Sequence, residues 1–318
     1  MREVIDYIDE LEARSYYAAR VFHDPDSLVP QRPIRLGELH FLAENINVKN
    51  FERMVKKSNN LWEIGKFLER VNRLGGNAAE KIVPLVCEKI DKAPSLREVM
   101  HCLNPIAGLE LSQRLTNPNS LIPLREYDNL RLLFLIVSGL DEEKLVVKLA
   151  ESSRVRYVWA CLRILKISDD DTTRRVVDAL TAETIVEKLA KTRNPRNVEN
   201  LLRTLSEISP EKAEHVLQLI SKKLESNENG NSVSSATLLA GVANLNSRMV
   251  AIHQPQLVKR LNSSKSLREV GEAFRKISLC NPSLATEIFK KLDEQKQNYL
   301  LTKFGRYTRG KPPSASTV

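Results

Sequence analysis

One five-residue phrase, Ser-Leu-Arg-Glu-Val, occurs twice in this chain of 318 residues, at Ser95–Val99 and at Ser266–Val270. The two copies are 171 residues apart, which is about five steps of ~34 residues. A related phrase, Asn-Leu-Trp-Glu-Ile at Asn60–Ile64, begins 35 residues before the first copy. Repetition at this interval predicts a short structural unit that stacks on copies of itself.

All three phrases have the form of a helix start. A Ser or Asn is followed by Leu and, three positions after the Ser or Asn, by Glu. In such a capping box the first side chain accepts a hydrogen bond from a free N–H of the first turn. The Glu reaches back to the N–H of the capping residue. The spacing therefore predicts three helices that begin at residues 61, 96 and 267.

The similarity extends along the first helix of the repeat. Residues 61–74 align with residues 267–280, and the apolar positions recur at the i, i+1, i+4 and i+7 spacing of one helix face. Gly65 aligns with Gly271, and Cys280 takes the position of Leu74. We therefore expect Cys280 to behave as a core residue.

A second helix has its own pattern, in which a small residue is followed by large ones at +4 and +7. A small residue lets two antiparallel helices approach closely. The pattern occurs as Ala79-x3-Val83-x2-Val86, Ala213-x3-Leu217-x2-Ile220 and Ala285-x3-Phe289-x2-Leu292. The chain is therefore predicted to be all-α, a right-handed α-solenoid of antiparallel helical hairpins with a period of ~34–35 residues.

The predicted organisation has three parts: an N-terminal helical cap region at 1–58, the repeat array at 59–303 and a basic disordered tail at 304–318. Predicted loops lie at 23–33, 117–125 and 226–232, where Pro, Asn and Ser cluster. The predicted helices span 2–22, 35–58, 60–74, 77–91, 95–115, 128–138, 141–152, 155–167, 169–191, 195–208, 210–225, 233–261, 266–279 and 281–303.

Positive charge is concentrated near the C-terminus. Residues 251–318 hold 13 Lys and Arg against five Asp and Glu, whereas the formal net charge of the whole chain is +9. Lys296, Lys303, Arg306, Arg309 and Lys311 follow the last acidic residue, and Phe304 and Tyr307 lie between Lys303 and Arg309. Basic residues interleaved with aromatics are typical of single-stranded nucleic-acid binding. These five cations are therefore the candidate nucleic-acid site, and a solvated basic helix that runs into a frayed tail is the alternative.

Sequence patterns of known chemistry are missing. The chain has no G-x-x-x-x-G-K-[ST], G-x-G-x-x-G, C-x-x-C, H-E-x-x-H or G-x-S-x-G motif. His101 and Cys102 are neighbours, but adjacent helical residues do not face each other, so a structural role is favoured over a thiolate site. Asp169, Asp170 and Asp171 favour an acidic first turn of a helix over a calcium loop. Trp62 is predicted to be a core residue.

Four isolated cysteines among aliphatic residues indicate reduced core thiols. No run reaches the ~18 apolar residues of a membrane span, and the N-terminus lacks the form of a secretory signal. We therefore expect a cytoplasmic protein that needs no cofactor or metal ion.

The repeat length and the Ala-x3-large-x2-large helix resemble degenerate tetratricopeptide repeats over roughly residues 60–300. The Trp, Leu-Gly and Tyr positions of that family's first helix, and its closing Pro, are absent here. The phrases at Ile277–Ile288 and Ile208–Ala213 resemble the sensor repeats that follow the ATPase of STAND-type signalling proteins. No ATPase motif accompanies them, so the resemblance implies a recognition module without catalysis.

The expected function is therefore a non-enzymatic helical-repeat scaffold or recognition module that binds another protein. The alternative is an RNA- or DNA-binding solenoid that uses the basic C-terminal end. A helical enzyme is a third hypothesis, and the His101–Cys102 pair is its only candidate site.

Overall fold

The computed structural model describes residues 48–73, 78–107, 124–226 and 232–305. These residues form helices joined by short turns, and no strand occurs among them. The predicted all-α class is therefore confirmed. The helix predicted at 2–22, the loop at 23–33, most of the loops at 117–125 and 226–232, and the tail beyond 305 lie outside the described residues. The end of the loop predicted at 117–125 is wrong, because a helix begins at Leu124. The helices are α1 Val48–Lys57, α2 Leu61–Arg73, α3 Ala78–Asp91, α4 Leu96–Ala107, α5 Leu124–Gly139, α6 Glu142–Glu151, α7 Val155–Ser168, α8 Asp170–Ala179, α9 Ala182–Lys191, α10 Pro195–Ile208, α11 Pro210–Ser226, α12 Ser232–Val242, α13 Ser247–Ser263, α14 Leu267–Cys280, α15 Pro282–Lys291 and α16 Glu294–Phe304.

Three long predicted helices are wrong, because each is divided in two. The prediction at 169–191 is divided between α8 and α9, that at 233–261 between α12 and α13, and that at 281–303 between α15 and α16. At each break a polar side chain caps the next helix. Thr181 accepts from the N–H of Thr184, Asn246 from that of Met249 and Asp293 from that of Lys296.

The predicted capping boxes are half confirmed. The Asn60 carboxamide oxygen accepts from the N–H groups of Trp62 and Glu63, at 3.1 and 3.3 Å. The Ser266 hydroxyl accepts from the N–H of Glu269 at 3.2 Å. The Ser95 hydroxyl accepts from the N–H of Glu98 at 3.4 Å. At Asn60 and Ser266 the predicted reciprocal bond is wrong, because the N–H of each of these two capping residues donates to a Ser two positions earlier. These earlier residues are Ser58 and Ser264.

The chain divides into two compact units. The first contains Met1–Leu149 and Arg163–Val176, and the second contains Ala150–Leu162 and Val177–Val318. In the first unit α2 packs on α4, and α3 packs on α1 and α5. The core of this unit is apolar and mainly aliphatic, and Ile64, Phe67, Leu68 and Leu103 are fully buried in it.

The second unit has a regular packing order. In one series α10 packs on α12, α12 on α14 and α14 on α16. In the other series α9 packs on α11, α11 on α13 and α13 on α15. Chain neighbours join the two series, because α10 also contacts α11, α12 contacts α13 and α14 contacts α15. Each helix therefore pairs with the next helix but one.

Helix α12 is almost completely enclosed. Its sequence, Ser-Val-Ser-Ser-Ala-Thr-Leu-Leu-Ala-Gly-Val, consists mainly of small residues, and residues 235–242 are all buried. A Cβ on Gly241 would collide with the Val198 side chain and lie 2.9 Å from the Pro195 carbonyl oxygen. Small side chains thus let α10 come close to α12. Because most side chains of α12 are small, α10 also makes contact with α14.

Candidate binding surface

The structure places only part of the predicted basic end. Lys296 lies at the start of α16, and its side chain is only 6% exposed. Its ammonium donates to the Asp293 carboxylate and to the Asn262 carbonyl oxygen, both at 2.6 Å. Lys296 is therefore a structural cation that joins two segments of the second unit, and its charge is not presented to a phosphate.

Lys303 is exposed near the end of α16. Its ammonium donates to the Tyr299 hydroxyl at 2.9 Å and lies 5.3 Å from the centroid of that ring. The Phe304 ring is 5.9 Å away. A cation beside two aromatic rings is thus present at this end. The other predicted members, Arg306, Arg309 and Lys311, lie outside the described residues.

The cysteines are held as neutral thiols. Burial raises the pKa of Cys102 to about 12, and the nearby Cys87 adds to that effect. Burial likewise raises the pKa of Cys87 to about 11 and that of Cys161 to about 12. His101 lies beside Glu98, with its Nδ1 3.6 Å from the carboxylate oxygen. A thiolate at Cys102 is thus strongly disfavoured, because the ionised sulfur would be buried.

The predictions of an acidic first turn at Asp169 and of a core position for Trp62 have opposite outcomes. The acidic first turn is confirmed, because Asp169 caps α8 by accepting from the N–H groups of Asp171 and Thr172, both at 3.1 Å. The bonds from Thr172 lower the pKa of Asp169 below its ordinary value. The core prediction for Trp62 is wrong, because its side chain is 44% exposed and the Lys66 ammonium lies 4.0 Å from its ring centroid.

A repeated contact that the sequence analysis missed accounts for several other cations. In each case a Lys or Arg near the end of one helix donates to a carbonyl oxygen at the end of another helix of its unit. Such a cation satisfies a free carbonyl and opposes the negative end of the helix dipole. The bonds are Lys89 to Lys56 and Ser58 (2.9 and 2.8 Å), Lys148 to Asp91 (2.9 Å), Lys188 to Ser152 (2.5 Å) and Arg260 to Leu224 (2.9 Å).

This contact has a sequence signature. Each of the four cations comes three positions after a buried aliphatic residue and directly before a buried Leu or Ile. The segments are Val86–Ile90, Leu145–Leu149, Ile185–Leu189 and Leu257–Leu261.

A groove of about 590 Å³ lies on the first unit, between the end of α1, the end of α3 and the start of α4. Three of its charged groups, Glu88, Lys89 and Lys92, are engaged with protein groups. Lys92 lies 2.5 Å from Glu88, and Lys89 is bound to the two carbonyl oxygens described above. The Lys92 hydrogen bond and charge lower the pKa of Glu88. This groove therefore offers little unpaired charge to a ligand.

A different group of cations lies on the second unit, on α10, on the loop just before it and on the second half of α14. We call these five residues the basic patch. Its four arginines are exposed, and its lysine is half-buried. The members are Arg193, Arg196, Arg203, Arg275 and Lys276.

A hydrogen bond connects the two sides of the basic patch. The Lys276 ammonium, on α14, donates to the Arg193 carbonyl oxygen at 2.5 Å. Burial raises the pKa of the Cys280 thiol at the end of α14, and the nearby Arg196, in the first turn of α10, opposes that effect. Burial lowers the pKa of Lys276, and the adjacent charge of Arg275 lowers it further. The patch therefore holds like charges close together at a partly dehydrated position.

The basic patch also contains acidic and apolar groups. Glu199 lies 2.8 Å from Arg203, and Glu272 is close enough to Lys276 to favour its charged form. Five cations thus face two carboxylates. Leu279 is three positions after Lys276 on the same face of α14, and it is 47% exposed. The surface combines positive charge with an exposed aliphatic side chain.

Within the described ranges, His, Cys, Asp and Glu side chains form no group of three that could hold a metal ion. None of the helices described there combines the length and hydropathy needed to cross a membrane. Comparison with known proteins finds no matching family, no matching curated protein and no matching solved structure.

Proposed function

We propose that this chain is a non-enzymatic recognition module, a right-handed α-solenoid that binds another protein. The observation that carries the proposal is the packing order of the second unit, in which each helix pairs with the next but one in two series. Stacked hairpins have this order, because each hairpin buries its apolar face only against its neighbours. The resemblance to tetratricopeptide and sensor repeats leads to the same class.

The proposed array spans 59–303, with a cap region before it and a basic tail after it. Its buried positions are set by the repeat, whereas its exposed positions are free to vary with the partner. The state of the reactive groups supports a role without catalysis. The buried cysteines are neutral thiols, and Asp169 and Lys296 are engaged as a helix cap and a link between segments.

Affinity purification of the full chain from native lysate, with and without residues 303–318, tests the proposal. We expect both forms to retain the same protein after nuclease treatment. The purified partner should then bind in a two-component titration and protect helices of the array from hydrogen exchange. Loss of every protein partner after nuclease treatment would contradict the proposal.

The alternative is binding of RNA or DNA by the basic C-terminal end. The observation in its favour is the exposed Lys303 beside the rings of Tyr299 and Phe304. Binding through several phosphate contacts weakens steeply as salt rises. A labelled oligonucleotide should therefore bind the full chain at low salt and lose affinity without residues 303–318. A lack of binding at low salt would eliminate this alternative.

A further inference from the structure

The basic patch is the described surface of the second unit where cations from two helices are brought together. Arg193 and Lys276 are 83 residues apart in the chain, yet a hydrogen bond joins them. Because like charges repel and Glu199 and Glu272 offset only part of the charge of the five cations, a further anion would relieve the repulsion that remains. The arginines are exposed, so an incoming anionic group can reach them.

We infer that the basic patch binds an acidic, leucine-containing segment of a partner protein. This inference rests on the proposed function and adds the chemistry of the partner. The arginines would pair with the carboxylates of the segment, since a guanidinium presents a planar fork that matches a carboxylate. Leu279 would contact an aliphatic side chain between those carboxylates.

The composition of the patch favours a peptide over a nucleic acid. Glu199 and Glu272 lie among the cations and would repel any anion beside them, and every nucleotide of a nucleic acid carries a phosphate, whereas only some residues of an acidic peptide are charged. A peptide can place its own N–H groups or a basic side chain near these carboxylates. An exposed Leu279 fits an aliphatic contact, whereas bases are commonly bound by aromatic stacking.

Lys276 connects the two sides of the basic patch. Its ammonium is bound to the Arg193 carbonyl oxygen, so it holds the loop before α10 against α14. That bond ties the segment just before Arg196 to the turn of α14 that carries Arg275. The patch is thus preorganised, and less ordering remains to be done on binding.

The test uses the full chain and a fluorescein-labelled acidic peptide with glutamates and leucines at helical spacing, followed by anisotropy at low salt. The same peptide with glutamine for glutamate, a labelled oligouridylate and a labelled DNA duplex are the comparison probes. We expect the acidic peptide to bind more tightly than the other probes. Its affinity should fall as ionic strength rises, because exposed ion pairs are screened.

The double substitution Arg196→Gln with Arg275→Gln should reduce affinity roughly tenfold or more. The matched control is Lys222→Gln with Lys259→Gln, which removes the same charge from exposed positions on α11 and α13 of the same unit. This control should retain nearly full affinity. Leu279→Ser should weaken binding of the leucine-containing peptide several-fold while leaving binding of a leucine-free acidic peptide unchanged. All variants should show the circular dichroism of the parent chain.

An equal loss in the control variant would overturn the inference, because the attraction would then depend only on net charge. Absence of peptide binding, or tighter binding of an oligonucleotide that the patch variant loses, would overturn it as well. If Leu279→Ser left the affinity for the leucine-containing peptide unchanged, the inferred contact between Leu279 and an aliphatic side chain of the partner would be wrong. If the patch variant still binds the purified natural partner normally, this inference fails while the proposed function stands. If no protein partner is found for the full chain, the proposed function itself fails.

Discussion

Helix α2 of the first unit and helix α14 of the second carry the same sequence pattern, yet their glycines meet different neighbours. A Cβ added to Gly65 would lie 2.9 Å from the Cys102 carbonyl carbon, 3.0 Å from its Cα and closer still to the oxygen. A Cβ added to Gly271 would lie 3.0 Å from a ring carbon of Tyr299. Gly65 thus faces the backbone of Cys102, whereas Gly271 faces the side chain of Tyr299, which can rotate.

The starts of the two helices differ less. In both, a polar side chain caps the first turn and a Ser two positions earlier accepts from the N–H of the capping residue. The Glu of the box is used differently, because Glu269 accepts from the Ser232 N–H at 3.0 Å and from the Ser264 hydroxyl at 3.1 Å. The comparison shows that a repeated sequence preserves local contacts better than contacts between helices.

The largest expected effect is that of Gly65→Ala. The new methyl group would force α2 away from the backbone of α4, and overpacking of this kind costs about 3 kcal/mol of the free energy of unfolding. Urea unfolding followed by circular dichroism measures the loss. A loss below about 1 kcal/mol would show that α2 and α4 separate easily and that the two glycines are equivalent.

Glu269→Ala should come next, with a loss of about 2 kcal/mol. It removes the acceptor of the Ser232 N–H, and a buried donor without an acceptor is costly. Hydrogen exchange at the start of α12 should accelerate in the same variant. Glu269→Gln retains an oxygen acceptor and serves as the control, which should lose less than half as much. Equal losses in both variants would mean that this hydrogen bond contributes little.

The capping substitutions Asn60→Ala and Ser266→Ala should each cost about 1 kcal/mol, because each removes a side-chain acceptor from a first turn. Asn60→Ser and Ser266→Asn exchange the two capping residues and should restore most of the stability. Thermal unfolding of all four variants measures these effects. A large loss at one start and none at the other would show that the two helix starts are not equivalent.

The smallest effect is expected for Gly271→Ala. The Tyr299 ring can turn away from the new methyl group, and Ala is favoured over Gly within a helix by about 1 kcal/mol. The two effects nearly cancel, so the free energy of unfolding should remain within about 1 kcal/mol of the parent chain. A loss as large as that of Gly65→Ala would show that Tyr299 is held as rigidly as backbone.

Helix starts were the most predictable feature. Helix α10 spans Pro195–Ile208 as predicted, because Asn194 accepts from the N–H of Arg196 and Pro occupies the first helical position. The divisions within 169–191, 233–261 and 281–303 were missed. There the apolar pattern continues across the turn, and Thr181, Asn246 and Asp293 look like ordinary exposed polar residues until the turn is seen.

The candidate site was less predictable than the fold. Counting charges along the chain selected Lys296 because it lies in the basic end. In the structure the break between α15 and α16 lies just before Lys296, and its ammonium donates to the Asn262 carbonyl oxygen. The basic patch escaped notice because its members belong to two segments that are distant in sequence. The cations near helix ends were also missed, although their positions between buried aliphatic residues are visible in the sequence.

The sequence by itself determined that the described residues are helical, where most of their helices begin and, apart from Trp62, the apolar face shared by α2 and α14. Capping and amphipathic spacing act within a few residues, so they are visible in one segment at a time. Only the tertiary structure decided that Gly65 faces backbone, that Lys296 is buried and that Arg193 meets Lys276. Steric contact and Coulomb interaction depend on distance in space, and that distance is set by how neighbouring helices pack.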